Sequence, residues 1–545
     1  MKKIWFTRLL ILLVVLVMVI PMVACGDKGK PSKQEEASKG KEEGKKDDAE
    51  KDEEKKDEGK KDEELEFVTF DWYIGQDQKP DHQLINDAIN EYLKEEINAN
   101  VNMHFWPAKD WEEKMPTMLS AGQDVGVIGF GSQAKLDYVV QATRGSFAPL
   151  NDLLDEYGEG TKALFSSDVW DAMKIDGNIY GIPSLKDNCY IMSLVYNADM
   201  AEALELDMDN LEYKNFRQLG PFFEEVLEKR AEKFPEYDEL YPLCNISGAE
   251  SPYNFAIESF LRDSYIVACN IDPFFDIAAY DDNTVFNLYD TDEYKEFCKQ
   301  RFQWVQDNII AYKHEGEWNY TGGMFGWAGW GYAYMQEHLY GEKFTTKMVV
   351  SENIWTDTNN YFSAGTAIAA NCAEKERAMM MLELVNNDPY FATTMRFGLE
   401  GTHYIINDEG KMQFEGSERN VGDQSDWGYY YWYAAPIGNL TIVNAPEDLV
   451  GPDGIMLDEL VRYNNEAVIP RHMGFSLDTT PITNEIAACT NVVMEYRDDL
   501  RNGRLESIEV IEKQIEDFNA KLKANGVDKI IEETQKQIDE WNAAQ

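Results

Sequence analysis

The sequence predicts an α/β fold with a largely parallel sheet, and three observations lead to this prediction. First, strand-like and helix-like patterns alternate three times over residues 66–142, an order typical of parallel sheets flanked by helices. Second, the body after residue 64 has about 480 residues, enough for two or more lobes. Third, the chain contains 13 Trp, 29 Tyr and 26 Phe, which supplies the side chains for a large core.

The first part of the body provides the elements of this sheet. Alternating or continuous apolar residues predict three strands, at 66–73, 100–106 and 124–130. Helical spacing of apolar residues predicts the helices that follow them, at 82–97, 110–119 and 134–142. A turn and a further helix follow over 147–157.

Later elements are predicted in the same way. The predicted strands are 190–197 and 362–369, and the predicted helices are 199–204, 216–231, 252–268, 292–308, 374–386, 507–524 and 527–541. The segment 315–335 is dense in Gly, Trp and Tyr and is predicted to be a loop.

The N-terminus predicts export. Three basic residues precede an apolar run over 9–20, which is shorter than the about 20 residues of a membrane span. Cys25 directly follows Ala24 and resembles the lipobox of bacterial lipoproteins, with Met22 where Leu is usual. We therefore predict a lipoprotein signal peptide at 1–24 and lipidation of Cys25. An ordinary secretion signal and an uncleaved anchor are the alternatives.

Residues 25–64 are predicted to be a disordered, charged tether. Within 26–64 there are 12 Lys against 16 acidic residues and no aromatic or large aliphatic side chain. The whole chain has a net charge of −49; because residues 1–24 carry +3 and residues 26–64 carry −4, residues 65–545 carry −48. A body this acidic repels phosphate backbones, so nucleic-acid binding is excluded as a function class.

The phrase D-G-N-I-Y-G-I-P at 176–183 predicts a tight turn followed by an extended segment. This phrase resembles a crossover between lobes in extracellular solute-binding proteins of ABC importers, in the group that includes maltose-binding protein. The resemblance covers residues 65–545. Segments of the C-terminal third resemble a Firmicutes lipoprotein subfamily that ends in an uncharacterised domain; these segments are 397–404, 474–478, 481–496, 521–530 and 535–541. Gly126 departs from the pattern, which more often has a bulkier apolar residue there, and 318–332 matches no motif of the family.

The resemblance implies a two-lobed periplasmic-binding-protein type II fold with a hinge. Lobe 1 would comprise 65–187 with 361–420, and lobe 2 would comprise 188–360 with 421–545, including the C-terminal helices. Closure of the lobes on a ligand would let a permease distinguish the loaded form.

The implied function is that of a lipid-anchored, monomeric solute-binding protein at the extracellular face of a Gram-positive type of membrane. It would capture a carbohydrate, expected to be an oligosaccharide, for an ABC importer, without a cofactor and without catalysis. The alternatives are the same scaffold binding a peptide or other polar solute, and a surface glycan-degrading enzyme.

Sugars present hydroxyl groups and apolar C–H faces, so a sugar site combines flat aromatic rings with polar side chains. Candidates of both kinds follow the predicted strands, the crossover and the aromatic loops. The predicted ligand-binding residues are Trp72, Tyr73, Asp77, Phe130, Ser132, Gln133, Lys186, Asp187, Trp327, Trp330, Trp427, Tyr430 and Trp432. Each of these aromatic residues has an alternative structural interpretation, in which it caps a core.

Other site chemistries are disfavoured. The G-x-G-x-x-A pattern at 129–134 imitates a dinucleotide fingerprint, but no second strand ending in an acidic residue follows it at the required distance. The chain has no G-x-S-x-G, P-loop or H-E-x-x-H motif. The segment 207–210 lacks the Gly and the closing Glu of a calcium loop. The six Cys residues after Cys25 are isolated; both disulfides and buried free thiols remain open interpretations.

Overall fold

The computed structural model describes most of the chain after residue 64. The described residues are 65–544 except 132–135, 236–240, 244–254, 262–263, 311–322, 330–345, 409, 415, 419–437 and 444–454. The strands are β1 Val68–Ile74, β2 Ala99–Phe105, β3 Val127–Phe130, β4 Lys174–Ile175, β5 Asn178–Ile179, β6 Ile182–Pro183, β7 Met192–Asn197, β8 Tyr241–Leu243, β9 Ile257–Ser259, β10 Val267–Asn270, β11 Phe286–Asn287, β12 Gly323–Gly329, β13 Thr346–Val350, β14 Gly365–Ile368, β15 Ile405–Ile406 and β16 Met412–Gln413.

The α-helices between and after these strands are α1 His82–Ile97, α2 Ala108–Ser120, α3 Tyr138–Thr143, α4 Asn151–Tyr157, α5 Glu159–Ala163, α6 Ser167–Ala172, α7 Ala198–Ala203, α8 Gly220–Lys233, α9 Asp292–Gln306, α10 Thr358–Phe362, α11 Lys375–Asn387, α12 Pro389–Phe397, α13 Ile455–Glu466, α14 Thr483–Arg501, α15 Ile508–Ala524 and α16 Val527–Ala544.

The sheet of lobe 1 has the order β2-β1-β3-β14-β6. Strand β1 runs parallel to β2 and β3, with Trp72 opposite Met103 on one side and Val127 on the other. The late strand β14 lies antiparallel to both β3 and β6. The chain therefore leaves this lobe after β6 and returns to it with β14. This mixed sheet confirms the α/β fold class predicted from the sequence.

One apolar core holds lobe 1 together. Its residues come from β1, β2 and β3, from the helices between them, and from β14, α11 and α12. Within this core, Asn86 of α1 donates to the Val101 carbonyl at 2.8 Å and accepts from the Met103 N–H at 3.2 Å, which joins helix α1 to the edge strand β2. Asn98 ends α1 in the left-handed region at φ 47°, a conformation that Asn tolerates.

The rest of the body contains two further sheets, ordered β13-β7-β12-β8 and β11-β10-β9. Helices α14, α15 and α16 pack against each other and against the β9–β11 sheet and α9, and they share one core. A neighbouring core lies around β7, α7 and α8 and includes Trp304, Trp355 and Phe223. The domain boundaries expected from the resemblance remain predictions.

Two elements were predicted wrongly. The helix expected at 252–268 is replaced by β9 and β10, whose residues are buried on both faces. Both strands are only three or four residues long and lack the polar–apolar alternation that identifies a half-buried strand. The loop expected at 315–335 contains β12, which pairs with both β7 and β8. Its glycines disfavour a strand, but its central position in the sheet decides the outcome.

The predicted turn at the crossover is confirmed. Strands β4 and β5 pair as a hairpin, with Lys174 opposite Ile179. Asp176 and Gly177 both have positive φ, 50° and 79°, as a two-residue hairpin turn requires. The described cysteines are all buried free thiols: Cys189, Cys269, Cys298, Cys372 and Cys489.

Candidate functional site

The junction between the lobes is built from chain segments that run side by side. Tyr190 N–H donates to the Trp355 carbonyl at 2.6 Å, and Thr356 N–H donates to the Val468 carbonyl at 3.0 Å. The Thr356 hydroxyl also donates to the Asn188 carbonyl at 2.5 Å. The segments around residues 188, 355 and 468 are thus hydrogen-bonded to one another, and we expect the hinge implied by the resemblance to lie here.

A buried ion pair lies at the start of the junction. Lys186 Nζ is 3.3 Å from Asp187 Oδ1, and the two side chains are only 5% and 1% exposed. Burial raises the pKa of Asp187, and the adjacent Lys186 opposes that shift. Asp187 Oδ2 has no hydrogen-bond partner among the described atoms. Both residues are predicted ligand-binding residues; here they lie inside the junction and present almost no surface.

Asparagines hold this pair in place. The Asn464 side chain accepts from Asn188 N–H at 3.0 Å and donates to the Lys186 carbonyl at 2.6 Å. Asn188 Nδ2 in turn lies 3.2 Å from the Ser184 carbonyl. These amides satisfy backbone groups that the crossing strands leave unpaired, so the segment that carries Lys186 and Asp187 has a fixed position.

A pocket of about 110 Å³ opens beside this junction. Its lining combines three phenylalanine rings with hydroxyl, amide and carboxyl groups. The lining residues are Glu258, Ser259, Phe260, Asp357, Thr358, Asn359, Phe362, Phe475, Ser476 and Leu477. They come from β9 and the residue that follows it, from the crossing segment around α10, and from the C-terminal region.

Two carboxyl groups face this pocket. Both oxygens of Asp357 accept hydrogen bonds, Oδ1 from Asn360 N–H at 3.0 Å and Oδ2 from the Tyr190 hydroxyl at 3.1 Å. Glu258 Oε2 lies 2.9 Å from Nδ1 of the fully buried His472. Burial raises the pKa of Glu258, the bond to His472 opposes that shift, and the charge of Asp357 adds to it.

The C-terminal wall of the pocket touches both lobes within three consecutive residues. Met473 packs against the core of lobe 1, whereas Phe475 is buried in the core of the C-terminal helices. Between them, Gly474 N–H donates to the Thr358 hydroxyl at 2.8 Å. Gly474 has φ +94°, and a Cβ there would lie 2.7 Å from the Ala172 Cα of α6. This turn therefore lies where lobe 1, the crossing segment and the C-terminal helices meet.

A second group of aromatic residues lies at the carboxyl ends of β1 and β2. Tyr73 stacks on His104 with ring centroids 4.4 Å apart and meets Trp106 edge-on at 5.1 Å. His104 Nε2 lies 2.9 Å from Asp71 Oδ1. Partial burial raises the pKa of the Tyr73 hydroxyl, as do the charges of Asp71 and Asp124. Tyr73 is half-buried, so part of its ring remains accessible, as its predicted role requires.

Trp72 and Phe130, two other predicted ligand-binding residues, are fully buried in the core of lobe 1. The Phe130 ring fills space left by two glycines. Added Cβ atoms would lie 2.4 Å from Phe130 Cε1 at Gly181 and 2.2 Å from Phe130 Cζ at Gly365. In this conformation Trp72 and Phe130 pack the sheet, so their predicted contact with a ligand would require the core to open.

The remaining predicted site residues differ in how far the structure describes them. Asp77 is exposed in the loop after β1. Trp327 belongs to β12, where its backbone lies opposite Leu194, and its side chain is outside the described part. The others lie outside the described residues altogether: Ser132, Gln133, Trp330, Trp427, Tyr430 and Trp432.

Close backbone contacts account for the glycines singled out in the sequence. A Cβ at Gly126 would lie 2.0 Å from the Asp71 carbonyl oxygen, and at Gly131 it would lie 2.2 Å from the Ser363 carbonyl oxygen. Both residues have positive φ, +61° and +106°. Gly126 therefore allows the backbone of β1 to pack closely against the segment before β3. Gly131, in the G-x-G-x-x-A pattern, likewise allows close packing of the segment that leads into β14.

Several functional candidates at the junction were missed from the sequence. Glu258, His472 and Asp357 lie 99 or more residues apart in the chain, and no local motif links them. The sequence around Gly474 carries a family resemblance but no motif that indicates a binding residue. Asp207, considered for calcium, instead accepts hydrogen bonds from Asn210. Among the described residues, no group of three or more His, Cys, Asp or Glu is placed to hold a metal ion.

Membrane attachment is not visible in the described helices. None of the helices within the described part of 65–544 combines the length and the apolar character that crossing a bilayer requires. Residues 1–64, which include the predicted signal peptide, Cys25 and the tether, lie outside the described residues.

Comparisons with known proteins agree with this architecture. Residues 471–543 match the family model described as a domain of unknown function, DUF3502. A carbohydrate ABC transporter substrate-binding protein of Streptococcus pneumoniae serotype 4 is 20% identical over 480 residues, which cover 85% of this chain and 89% of that protein.

Solved structures show the same fold. The crystal structure of an N-glycan transport solute-binding protein from Streptococcus pneumoniae has a TM-score of 0.69 at 18% identity, covering 87% of this chain and 98% of the other. Its complex with Man1GlcNAc has a TM-score of 0.60 at 18% identity, covering 87% and 99%. The predicted resemblance to solute-binding proteins with an uncharacterised C-terminal domain is thereby confirmed.

Proposed function

We propose that this chain is a lipid-anchored extracellular solute-binding protein that captures an oligosaccharide for an ABC importer and performs no chemistry on it. The observation that carries the proposal is the junction pocket, in which phenylalanine rings and polar side chains from both sides of the hinge face one space. A ligand held there contacts the crossing segment directly, so its binding energy is available to favour the closed form.

The pocket suits carbohydrate chemistry. The half-buried rings of Phe260 and Phe362 offer apolar surface for C–H groups, and the buried Phe475 ring packs behind them in the pocket wall. Thr358 and Asn359 offer a hydroxyl and an amide, each of which donates and accepts hydrogen bonds as sugar hydroxyls do. The related streptococcal protein is described as a carbohydrate ABC transporter substrate-binding protein, which supports the same ligand class and a permease partner here.

The first experiment measures binding and turnover together. The purified protein is titrated by calorimetry and thermal shift with a panel of oligosaccharides that begins with Man1GlcNAc, the sugar in the related complex. At 100 times Kd, a ligand that binds only the folded state stabilises it by about 2.7 kcal/mol. We expect stabilisation by at least one sugar, which is recovered unchanged. Release of new reducing ends would instead establish the glycan-degrading alternative, and stabilisation by peptides alone would establish the peptide-binding alternative.

The anchor is tested separately. The full chain and its Cys25→Ala variant are expressed in a bacterial host that lipidates lipoproteins, and membrane and soluble fractions are compared. We expect the wild type in the membrane fraction and the variant outside it. Retention of the variant in the membrane would favour the uncleaved-anchor alternative. Size-exclusion chromatography with light scattering of the soluble variant checks the expected monomer.

A further inference from the structure

The last helix of the C-terminal domain, α16, is fastened by two side-chain amides to the segment just before β11. Gln535 accepts a hydrogen bond from Val285 N–H at 2.8 Å and donates one to the Asn283 carbonyl at 3.0 Å. Asn542 donates to Asn283 Oδ1 at 2.8 Å. Because residues seven apart lie about two turns apart on one face of a helix, both amides reach the same short segment. The position of α16 therefore depends on where Asn283 is held.

His472 links Asn283 to the neighbouring strand β9. Its Nε2 lies 3.1 Å from Asn283 Oδ1, and its Nδ1 lies 2.9 Å from Glu258 Oε2. The side chain of His472 has no exposed surface, and that of Glu258 is 5% exposed. Trp541 of α16 meets both His472 and Phe475 edge-on, with ring centroids 6.2 Å apart in each pair. A buried polar chain thus runs from β9 through His472 to the last helix.

The contacts of the imidazole determine how many protons this polar chain needs. Asn283 Oδ1 is an acceptor that also receives the Asn542 amide, so His472 Nε2 carries a proton and donates to it. The contact between Nδ1 and Glu258 then requires one more proton, which either group can carry. Without that proton, a ring lone pair and a carboxylate oxygen would face each other at 2.9 Å in a buried environment. The pair therefore titrates as one unit that shares a single proton.

The surroundings of the pair favour retention of this proton. Burial raises the pKa of Glu258, the hydrogen bond to His472 opposes that shift, and the charge of Asp357 adds to it. Arg471 lies 3.4 Å from Asp282 Oδ1 and so has an acidic partner of its own. Titratable groups near the pair on the surrounding elements are Asp357 before α10, Cys269 of β10, Asp281 and Asp282 before β11, Arg471, and Asp539 of α16. Four of these six groups are carboxyl groups and one is a cation, so the shared proton sits in acidic surroundings.

We propose that Glu258 and His472 form a proton-dependent latch that fastens helix α16 of the C-terminal domain to the β9–β11 sheet. With the shared proton in place, His472 holds Asn283, and Asn283 holds α16. When the proton leaves, the contact between His472 and Glu258 becomes repulsive, and Asn283 Oδ1 loses one of its two donors. The docking of the last helix then weakens. The latch acts without a ligand, so it is independent of the proposed function.

The direction of the pH dependence follows from the proton count. Once released, the two groups are hydrated and lose the proton at a lower pH than the buried pair does. The contribution of Glu258 to the latch is therefore complete below its ordinary pKa of 4.5 and is lost as the pH rises through the raised pKa. Release of α16 also removes Trp541 from Phe475, so the pocket wall loses support as the pH rises.

Hydrogen exchange measured by mass spectrometry between pH 5 and pH 9 tests the latch on the purified protein without ligand. The protection of α16 is divided by that of α11 in the same sample, so the intrinsic effect of pH on exchange cancels. We expect this ratio to fall at least about tenfold in the wild type as the pH rises, because a buried hydrogen bond is lost.

Two glutamate variants separate the latch from other effects of pH. In Glu258→Gln the glutamine amide donates to Nδ1 at every pH, so the ratio should keep its acid value up to pH 9. The matched control is Glu485→Gln, since Glu485 pairs with Lys529 of the same helix at 2.7 Å but lies outside the latch. The hydrogen bond to Lys529 lowers the pKa of Glu485, so its charge does not change in this range. The control should show the pH dependence of the wild type.

Removal of the ring tests the other half of the pair. His472→Ala should give a low ratio at both ends of the pH range, and circular dichroism shows whether this variant is folded. If it does not fold, the comparison of Glu258→Gln with Glu485→Gln still decides. A wild-type ratio that is constant from pH 5 to pH 9, or equal pH dependence in Glu258→Gln and the wild type, would overturn the latch. Either result leaves carbohydrate binding untouched, because binding is measured separately.

Discussion

Gly474 offers the sharpest test of how the C-terminal domain packs against lobe 1. It has φ +94°, and a methyl group added there would lie 2.7 Å from the Cα of Ala172 and 3.3 Å from its Cβ. The nearest atom belongs to helix backbone rather than to a flexible side chain, so the clash cannot be relieved by a rotamer change. We expect Gly474→Ala to push lobe 1 away from the C-terminal domain.

The magnitude follows from two separate costs. A non-glycine residue in the left-handed region costs roughly 1–2 kcal/mol. Inserting a methyl group into a packed contact costs roughly 1–3 kcal/mol more, because neighbouring backbone must shift. Together these give a loss of roughly 2–5 kcal/mol in the free energy of unfolding. Displacement of the pocket wall should also weaken sugar binding.

The matched control is Gly401→Ala. Gly401 has φ +83°, close to that of Gly474, but nothing lies within 4 Å of an added Cβ. It therefore incurs only the backbone cost of roughly 1–2 kcal/mol. Urea unfolding followed by tryptophan fluorescence and circular dichroism gives both values. If Gly474→Ala is no more destabilising than Gly401→Ala, the close contact with Ala172 does not exist and the reasoning is refuted.

Three further predictions concern buried groups. Gly181→Ala should lower the free energy of unfolding by roughly 1–3 kcal/mol, because its Cβ would lie 2.4 Å from the Phe130 ring. Phe130→Leu should relieve part of that loss in the double mutant. Urea unfolding measures all three variants, and strictly additive losses would contradict this contact. Burial raises the pKa of Glu258 above its ordinary 4.5, so its contribution to stability is complete below pH 4.5 and is lost as the pH rises through the raised pKa. Glu258→Gln should therefore flatten the pH dependence of the unfolding energy above pH 4.5, and an unchanged slope would exclude this assignment. The five described cysteines should resist a thiol reagent in the native protein and react after denaturation; fast native labelling of any of them, located by peptide mapping, would show that it is accessible.

In lobe 1, local sequence patterns were sufficient to predict the bounds of a helix and the position of a hairpin turn. Helix α1 was predicted with the bounds that the structure has, His82–Ile97, because its apolar residues recur at helical spacing and only one face is buried. The hairpin turn at Asp176 and Gly177 was equally predictable, because few residue pairs tolerate two positive φ values. Periodicity and turn chemistry are local signals, so they can be recognised without knowledge of the fold.

Local sequence patterns failed to predict strands that are buried on both faces or paired on both edges. Strands β9 and β10 are short and buried throughout, and β9 even buries the polar residues Glu258 and Ser259, so neither shows the polar–apolar alternation that identifies a half-buried strand. Strand β12 is rich in glycine and was predicted as a loop, but pairing on both edges supplies the hydrogen bonds that its own propensity does not. In both cases long-range pairing decided the structure.

The candidate site was less predictable than the fold for a related reason. Lys186 and Asp187 were correctly located next to the crossover, yet their burial depends on Asn464, which is 277 residues away from Asp187. Trp72 lies inside β1, two residues before its end, and Phe130 ends β3, where ligand-contacting residues in α/β proteins often lie. Gly181 and Gly365, however, create the space that the Phe130 ring fills in the core. Position along a strand is visible in the sequence, whereas the depth of a side chain is set by its neighbours.

The turn at residues 473–475 connects the C-terminal domain to the hinge mechanically. Met473 packs on the lobe 1 core, Phe475 is buried in the core of the C-terminal helices, and Gly474 between them bonds to Thr358 of the crossing segment. Rotation of lobe 1 about the hinge must therefore change either the Gly474–Ala172 contact or the packing of Met473. Because the same turn leads directly into Ser476 and Leu477 of the pocket wall, a ligand in the pocket and the angle between the lobes act on one short piece of chain. Residues 473–477 are therefore sufficient to connect ligand binding in the pocket to closure of the lobes.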